Sequence, residues 1–236
     1  MKLRTFIILL ALSSLAALPA CTRHDDDPRI AIEAQDSHNA FQAITGEDSD
    51  TERERWNAKY STSTYVYGKQ PDSFLRENVG LLPKGRALIY PMEEGRNAVF
   101  LAKKGLAVEG IDFSDVAIQK AKRLAKENGV YFETINADLT TYKIPPDTYD
   151  AIISMGFHRD RLINEIKKGL RKNGIVVYET YTTDQAKIAV GPESRHDNLL
   201  KPGQLREYFK DFDILVYQES NDGKRAVASL IARKKP

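Results

Sequence analysis

Between residues 86 and 181, short strand-like runs, the first of them apolar on both faces, alternate with segments whose apolar residues recur every three or four positions. "RALIYP" (86–91), "LAVEGID" (106–112), "VYFETINAD" (130–138), "YDAIISM" (149–155) and "GIVVYETY" (174–181) read as strands. A strand apolar on both faces must be covered on both sides, which is the condition of a parallel sheet flanked by helices. The intervening segments supply those helices. One runs from Arg96 to Lys104 and closes on Gly105; a second starts at the cap Ser114, carries Ile118, Ala121, Leu124 and Ala125 on one face, and ends at Asn128 before Gly129. "RLINEIKKGLRK" (161–172) is a third, and a helix from Asp72 to Leu82, ended by Pro83 and Gly85, precedes them all. The alternation breaks at the end: "FDILVYQES" and "RAVASLIAR" are joined by Asn221-Asp222-Gly223, a hairpin signal that turns the final strand antiparallel. The fold class is therefore α/β, a doubly wound parallel sheet with one reversed strand.

The N-terminus is of a different kind. Lys2 and Arg4 precede an apolar run from Phe6 to Leu18, too short for the roughly 20 residues a spanning helix needs. Charged start, apolar middle and small residues have the proportions of a secretory signal. Leu18-Pro19-Ala20-Cys21 resembles a bacterial lipobox, and Cys21 is the only cysteine of the chain. The organisation expected is a signal over residues 1–21 with Cys21 as the lipidated residue, a polar tether over 22–55, and a folded domain over 56–236. A lipid anchor implies a membrane surface and the cell envelope of a bacterium; with the signal unused, the chain is cytoplasmic. A net charge of +2, from 35 basic and 33 acidic residues, gives no electrostatic reason for a nucleic-acid partner. His24 and His38 stand in the tether without a cluster of further ligands, and no metal site is expected.

"WNAKYS", "YVYGKQPDSFL", "EGRNAVFLAKKG", "VEGIDFSDVAIQKAK", "NADL", "YDAIIS" and the terminal hairpin stand in an order that resembles the class I S-adenosylmethionine-dependent methyltransferases. The resemblance runs from Trp56 to the C-terminus, and is to the small-molecule branch with the tellurite-resistance and thiopurine methyltransferase-like proteins. It implies a Rossmann-like sheet of seven strands with the last antiparallel, and S-adenosylmethionine bound at the carboxyl ends of the first strands. Carried over by position, Gly95 and Arg96 open the helix beside the cofactor. Asp112 holds the ribose hydroxyls, Phe113 packs on the adenine, and Asp138 reaches its amino group. Trp56, Tyr65, Tyr67 and His158 form the wall for a small-molecule methyl acceptor, with Tyr60 and the loops 155–158 and 181–196 beside them.

One stretch departs from that pattern. The family places an acid and three alternating glycines after the first strand; here those positions are Ile89, Pro91, Glu93 and Gly95. Pro91 removes a backbone donor and Glu93 adds a side chain where the methionyl part of the cofactor belongs. Weak cofactor binding is the expectation, with an open pocket kept at the strand ends. Two readings follow, an envelope-tethered small-molecule methyltransferase and a catalytically inactive binding or scaffold module of the same fold; the weight of the resemblance favours the first. No G-x-S-x-G, H-E-x-x-H or phosphate-loop pattern supports a hydrolase or nucleotidase. For the N-terminus, Cys21→Ala is expected to abolish membrane partition of the expressed chain and to leave the signal attached, read as mature mass.

Overall fold

β1 (Arg86–Ile89) lies inside the sheet because every residue after Arg86 is apolar and fully buried, with Ala87 and Ile89 on one face and Leu88 on the other. The computed structural model describes residues 49–188 and 198–236, all within the compact unit Asp48–Pro236. Cys21, the expected signal over 1–21, residues 22–48, and His24, His38 and His196 lie outside the described residues, as does part of the 181–196 loop.

Around β1 the chain forms α1 (Ser49–Tyr60), α2 (Ser73–Asn78), α3 (Arg96–Lys103), β2 (Ala107–Asp112), α4 (Asp115–Glu127), β3 (Glu133–Asn136), β4 (Tyr149–Met155), α5 (Asp160–Gly169), β5 (Leu170–Tyr181), α6 (Gln185–Ile188), α7 (Gln204–Tyr208), β6 (Asp213–Asn221) and β7 (Ala226–Arg233). The seven strands form one sheet in the order β3-β2-β1-β4-β5-β7-β6. β1 to β5 pair in parallel, while β7 runs antiparallel to both β5 and β6. This is the expected doubly wound, Rossmann-like sheet with its last strand reversed. Alternation along β1 divides the core. Ala87 and Ile89 face α3 and α4 through Ala98, Leu101, Ala121 and Leu124. Leu88 and Tyr90 face the layer of Leu162, Ile166, Leu205 and Phe209.

Several boundaries differ from the sequence reading. β1 stops at Ile89 because Tyr90 and Pro91 enter the turn, and β3 keeps only Glu133–Asn136 of the nine-residue run. α5 ends at Gly169, and residues 170–172 open β5 instead of closing the helix. The helix expected from Asp72 to Leu82 is α2 followed by a 3₁₀ turn over Val79–Leu81. α1 takes in residues 49–55, which the sequence reading places in the tether.

Gly95 sets the distance between α3 and α4. It starts α3 at φ +89°, and a Cβ there would lie 2.7 Å from the Ala121 side chain and 2.8 Å from its backbone Cα. Backbone cannot yield as a flexible side-chain end can. Gly95→Ala is expected to destabilise the domain by about 2–4 kcal/mol, from overpacking together with a left-handed backbone, as measured by urea unfolding.

Candidate functional site

The carboxyl ends of β1, β2 and β4 meet at the turn after β1. Met92 donates its N–H to the Ile111 carbonyl (2.7 Å), which places its side chain over Gly110; a Cβ on Gly110 would fall 2.2 Å from the Met92 sulfur. The next residue, Glu93, adopts φ +56°, a left-handed conformation natural to glycine and strained for glutamate. Ile89, where the resemblance would place an acid, is fully buried in the apolar layer of α3 and α4.

Asp112 ends β2 just beneath this turn. Its Oδ2 accepts from the Glu93 N–H (2.7 Å) and its Oδ1 from the Ser114 N–H (2.9 Å). Burial pushes its carboxyl up to about 6, with those backbone donors holding it from rising further. The carboxylate thus does two local jobs, fixing the turn and the entry to α4, whose cap is Ser114 Oγ accepting from the Ala117 N–H (3.1 Å). Glu93 turns its own carboxylate inward, where burial drives it up to about 7 against the pull of Arg96, whose Nη2 stands 3.3 Å away. Arg96 is shared. It also pairs with Asp72 (2.9 Å), donates to the Tyr67 carbonyl (3.0 Å) and lies over the Tyr67 ring. Asn97 completes the grip by accepting from the Asp72 N–H and donating to its carboxylate, both at 2.9 Å.

A second buried pair begins at the next residue, Glu94. Lys120 Nζ and Glu94 Oε1 are 2.6 Å apart, and the same ammonium donates to the carbonyls of Tyr60, Thr62 and Thr64 at 2.9, 3.0 and 2.7 Å. Glu94 Oε2 accepts from the Val66 N–H (2.7 Å). Segment 60–72 is therefore stapled across the strand ends by two polar clusters. Tyr60 is buried by it, and Glu93 and Asp112 add to the burial that raises its phenol well above the usual range.

The residues singled out in the sequence fall into three groups. Asp112, Phe113, Arg96 and Gly95 converge at the ends of β1 and β2, with the Phe113 ring under the guanidinium of Arg53 (4.5 Å). Asp138 stands beyond the end of the neighbouring β3, yet its Oδ1 caps its own turn by accepting from the N–H and hydroxyl of Thr140, each at 2.7 Å. The aromatic wall is spread out. Trp56 stacks on Tyr60, Tyr67 accepts from Lys59 (2.8 Å), and Tyr65 donates to the Lys120 carbonyl (3.2 Å) on the α4 side. His158 is buried, with Nδ1 on the Tyr178 hydroxyl (2.8 Å) and Nε2 on Asp160 (3.2 Å), so both ring nitrogens are engaged. Its burial lowers its proton affinity, opposed by Asp160. The open pocket expected at the strand ends is closed: Tyr60, Glu93, Arg96 and Arg53 fill the space around Asp112 and Phe113. Among the described residues no cluster of three metal-ligating side chains occurs, and no helix is long and apolar enough to cross a membrane.

Residues 92–174, from this turn to the start of the paired part of β5, match a family model described as a methyltransferase domain. No curated protein matches the chain. Solved structures do. TehB from Haemophilus influenzae superposes with a TM-score of 0.56 at 20% identity, covering 78% of this chain and 67% of that one. Geranyl diphosphate methyltransferase in complex with SAM gives 0.56 at 15% identity, over 68% and 83%. The [4+2]-cyclase SpnF gives 0.55 at 19% identity, over 69% and 78%. The fold is that of the class I methyltransferases. Within this methyltransferase fold the turn from Pro91 to Gly95 and the residues at the end of β2 occupy the middle of the carboxyl edge.

Sequence reasoning missed the Glu94–Lys120 pair, the Asp72 grip and Arg53. A signal for the first existed: Lys120 lies three residues after Ala117 and four before Leu124, on the apolar face of α4. The Arg53 contact spans 60 residues of sequence and carries no local pattern.

A pH dependence follows from Glu93. Between its ordinary value of 4.5 and about 7 the folded carboxyl keeps a proton that the unfolded chain releases, so stability falls as pH rises through that window and levels off above it. The loss is about 3 kcal/mol at most. Glu93→Gln is expected to flatten the decline between pH 5 and 8 in urea unfolding, leaving the smaller slope due to Asp112.

Proposed function

We propose that the chain is an S-adenosylmethionine-dependent methyltransferase of a small molecule, held at the bacterial envelope through lipidated Cys21, with cofactor affinity weakened by its turn. The observation that carries the reading is the convergence of Asp112 and Phe113 at the carboxyl end of β2, inside the segment that matches the methyltransferase domain. A buried carboxylate beside an aromatic face suits a ribose and its base: the acid accepts from vicinal hydroxyls and the ring offers a stacking surface. The adenosine half of S-adenosylmethionine therefore suits the chemistry of these two side chains, which are buried here beneath Arg53 and the turn. The methionyl half does not fit the turn as it stands, because the Glu93 side chain and Arg96 fill the space that glycines leave open in the family. Tethering is supported by the lipobox-like run ending at Cys21.

A second reading, an inactive binding or scaffold module, is favoured by the same Glu93. Its carboxylate is already paired with Arg96, and segment 60–72 is stapled over the site by Lys120 and Asp72. One experiment separates the two. Calorimetric titration of the purified chain with S-adenosylmethionine is expected to show weak binding, and Glu93→Gly to strengthen it at least tenfold, about 1.4 kcal/mol. Glycine suits φ +56° and empties the space. Micromolar binding by the unaltered chain would show that the turn is no obstacle. Absence of binding in both proteins would favour the inactive module.

A further inference from the structure

We infer that α1 is a built-in lid on the nucleobase face of Phe113, with Arg53 as its internal occupant; this rests on the adenosine reading above. The central carbon of the Arg53 guanidinium lies over the Phe113 ring, 4.5 Å from its centroid. Its Nη1 donates to the Phe113 carbonyl (3.3 Å) and to Asn136 Oδ1 (3.0 Å), and Asp115 Oδ2 stands 3.9 Å away. Aromatic face, carbonyl, amide oxygen and carboxylate make a cradle that one planar group fills at a time. Phe113 is buried under this cover. A base that stacks on the ring must displace the guanidinium.

The way α1 is held allows that displacement. Its sequence, "SDTERERWNAKY", is polar through its N-terminal half; its large apolar residues, Trp56 and Tyr60, stand together in the C-terminal half. A helix of 12 residues is marginal on its own in water. Its C-terminal end is fixed, since the Tyr60 side chain is buried and its carbonyl accepts from Lys120. One turn earlier Asn57 Oδ1 accepts from the Ser114 hydroxyl (2.6 Å). Toward the N-terminus Arg53, itself about a third exposed, reaches an exposed Asp115 and an exposed Asn136. Such contacts contribute little to stability. Firm at Tyr60 and loose at Arg53, the helix is arranged to lift from its N-terminal half.

Trp56 lies between those two points and is the only tryptophan of the chain, so intrinsic fluorescence reports on α1 directly. The full-length chain and Arg53→Ala are titrated with adenosine, following heat by calorimetry and Trp56 emission, with hydrogen exchange of residues 51–60 recorded for both proteins. The lid predicts at least threefold tighter adenosine binding by Arg53→Ala, faster exchange of α1 in that variant, and a change of Trp56 emission when the unaltered chain binds. Adenosine binding that is unchanged or weaker in Arg53→Ala overturns the lid and leaves the adenosine reading in place. Absence of adenosine binding in both proteins overturns the adenosine reading and the lid with it. Exchange of α1 that is equal in the two proteins shows that Arg53 does not hold the helix and also overturns the lid.

Discussion

One ammonium group organises the carboxyl edge of this sheet. Lys120 Nζ meets the Glu94 carboxylate and three carbonyls of segment 60–64, and so ties together the turn after β1, the middle of α4 and the chain that precedes the sheet. A buried charge is tolerated only when it is paired and its donors are used. Here the carboxylate neutralises the charge and the carbonyls use the donors, in a space from which water is shut out. Loss of either partner would strand the other, a penalty of about 3–5 kcal/mol in buried pairs.

That staple explains why the site is closed. With Tyr60, Thr62 and Thr64 held down, the aromatic segment lies across the strand ends, and Arg96 finds Asp72 and the Tyr67 carbonyl within reach. Glu93 is then enclosed with a single cation that it must share with Asp72, which is why its carboxyl rises to about 7 although an arginine is close by. Asp112 underlies both features, since it accepts from the backbone of Glu93 and of Ser114 at once. A glycine-rich turn would need no such support. The strained Glu93 does, and its neighbours supply it at the cost of filling the space a cofactor would use.

Most of the fold could be read from the chain. Apolar runs such as "ALIY" can be stable only between two helical layers, and Asn221-Asp222-Gly223 can join its strands only as a hairpin. The positions of Asp112, Phe113 and Gly95 at one edge follow from strand ends and helix starts, which are local. The state of the site could not be read. Nothing nearby in sequence marks Tyr178 and Tyr208 as neighbours of His158, and the role of Asp138 rests on the resemblance alone, while its turn with Thr140 is local.

The sequence by itself determined the order of elements, the reversal of the last strand and the departure at Ile89, Pro91 and Glu93, because these depend on periodicity, turn chemistry and the identity of single residues. Only the tertiary structure decided that Ile89 joins the apolar core, that Glu93 points inward to Arg96, and that Arg53 covers Phe113. The packing of Ile89 and the cover on Phe113 join segments distant in sequence; Glu93 and Arg96 stand three residues apart, but segment 60–72, which encloses them, does not. Which contact forms depends on how two buried ion pairs bring those segments together, and no local pattern encodes it.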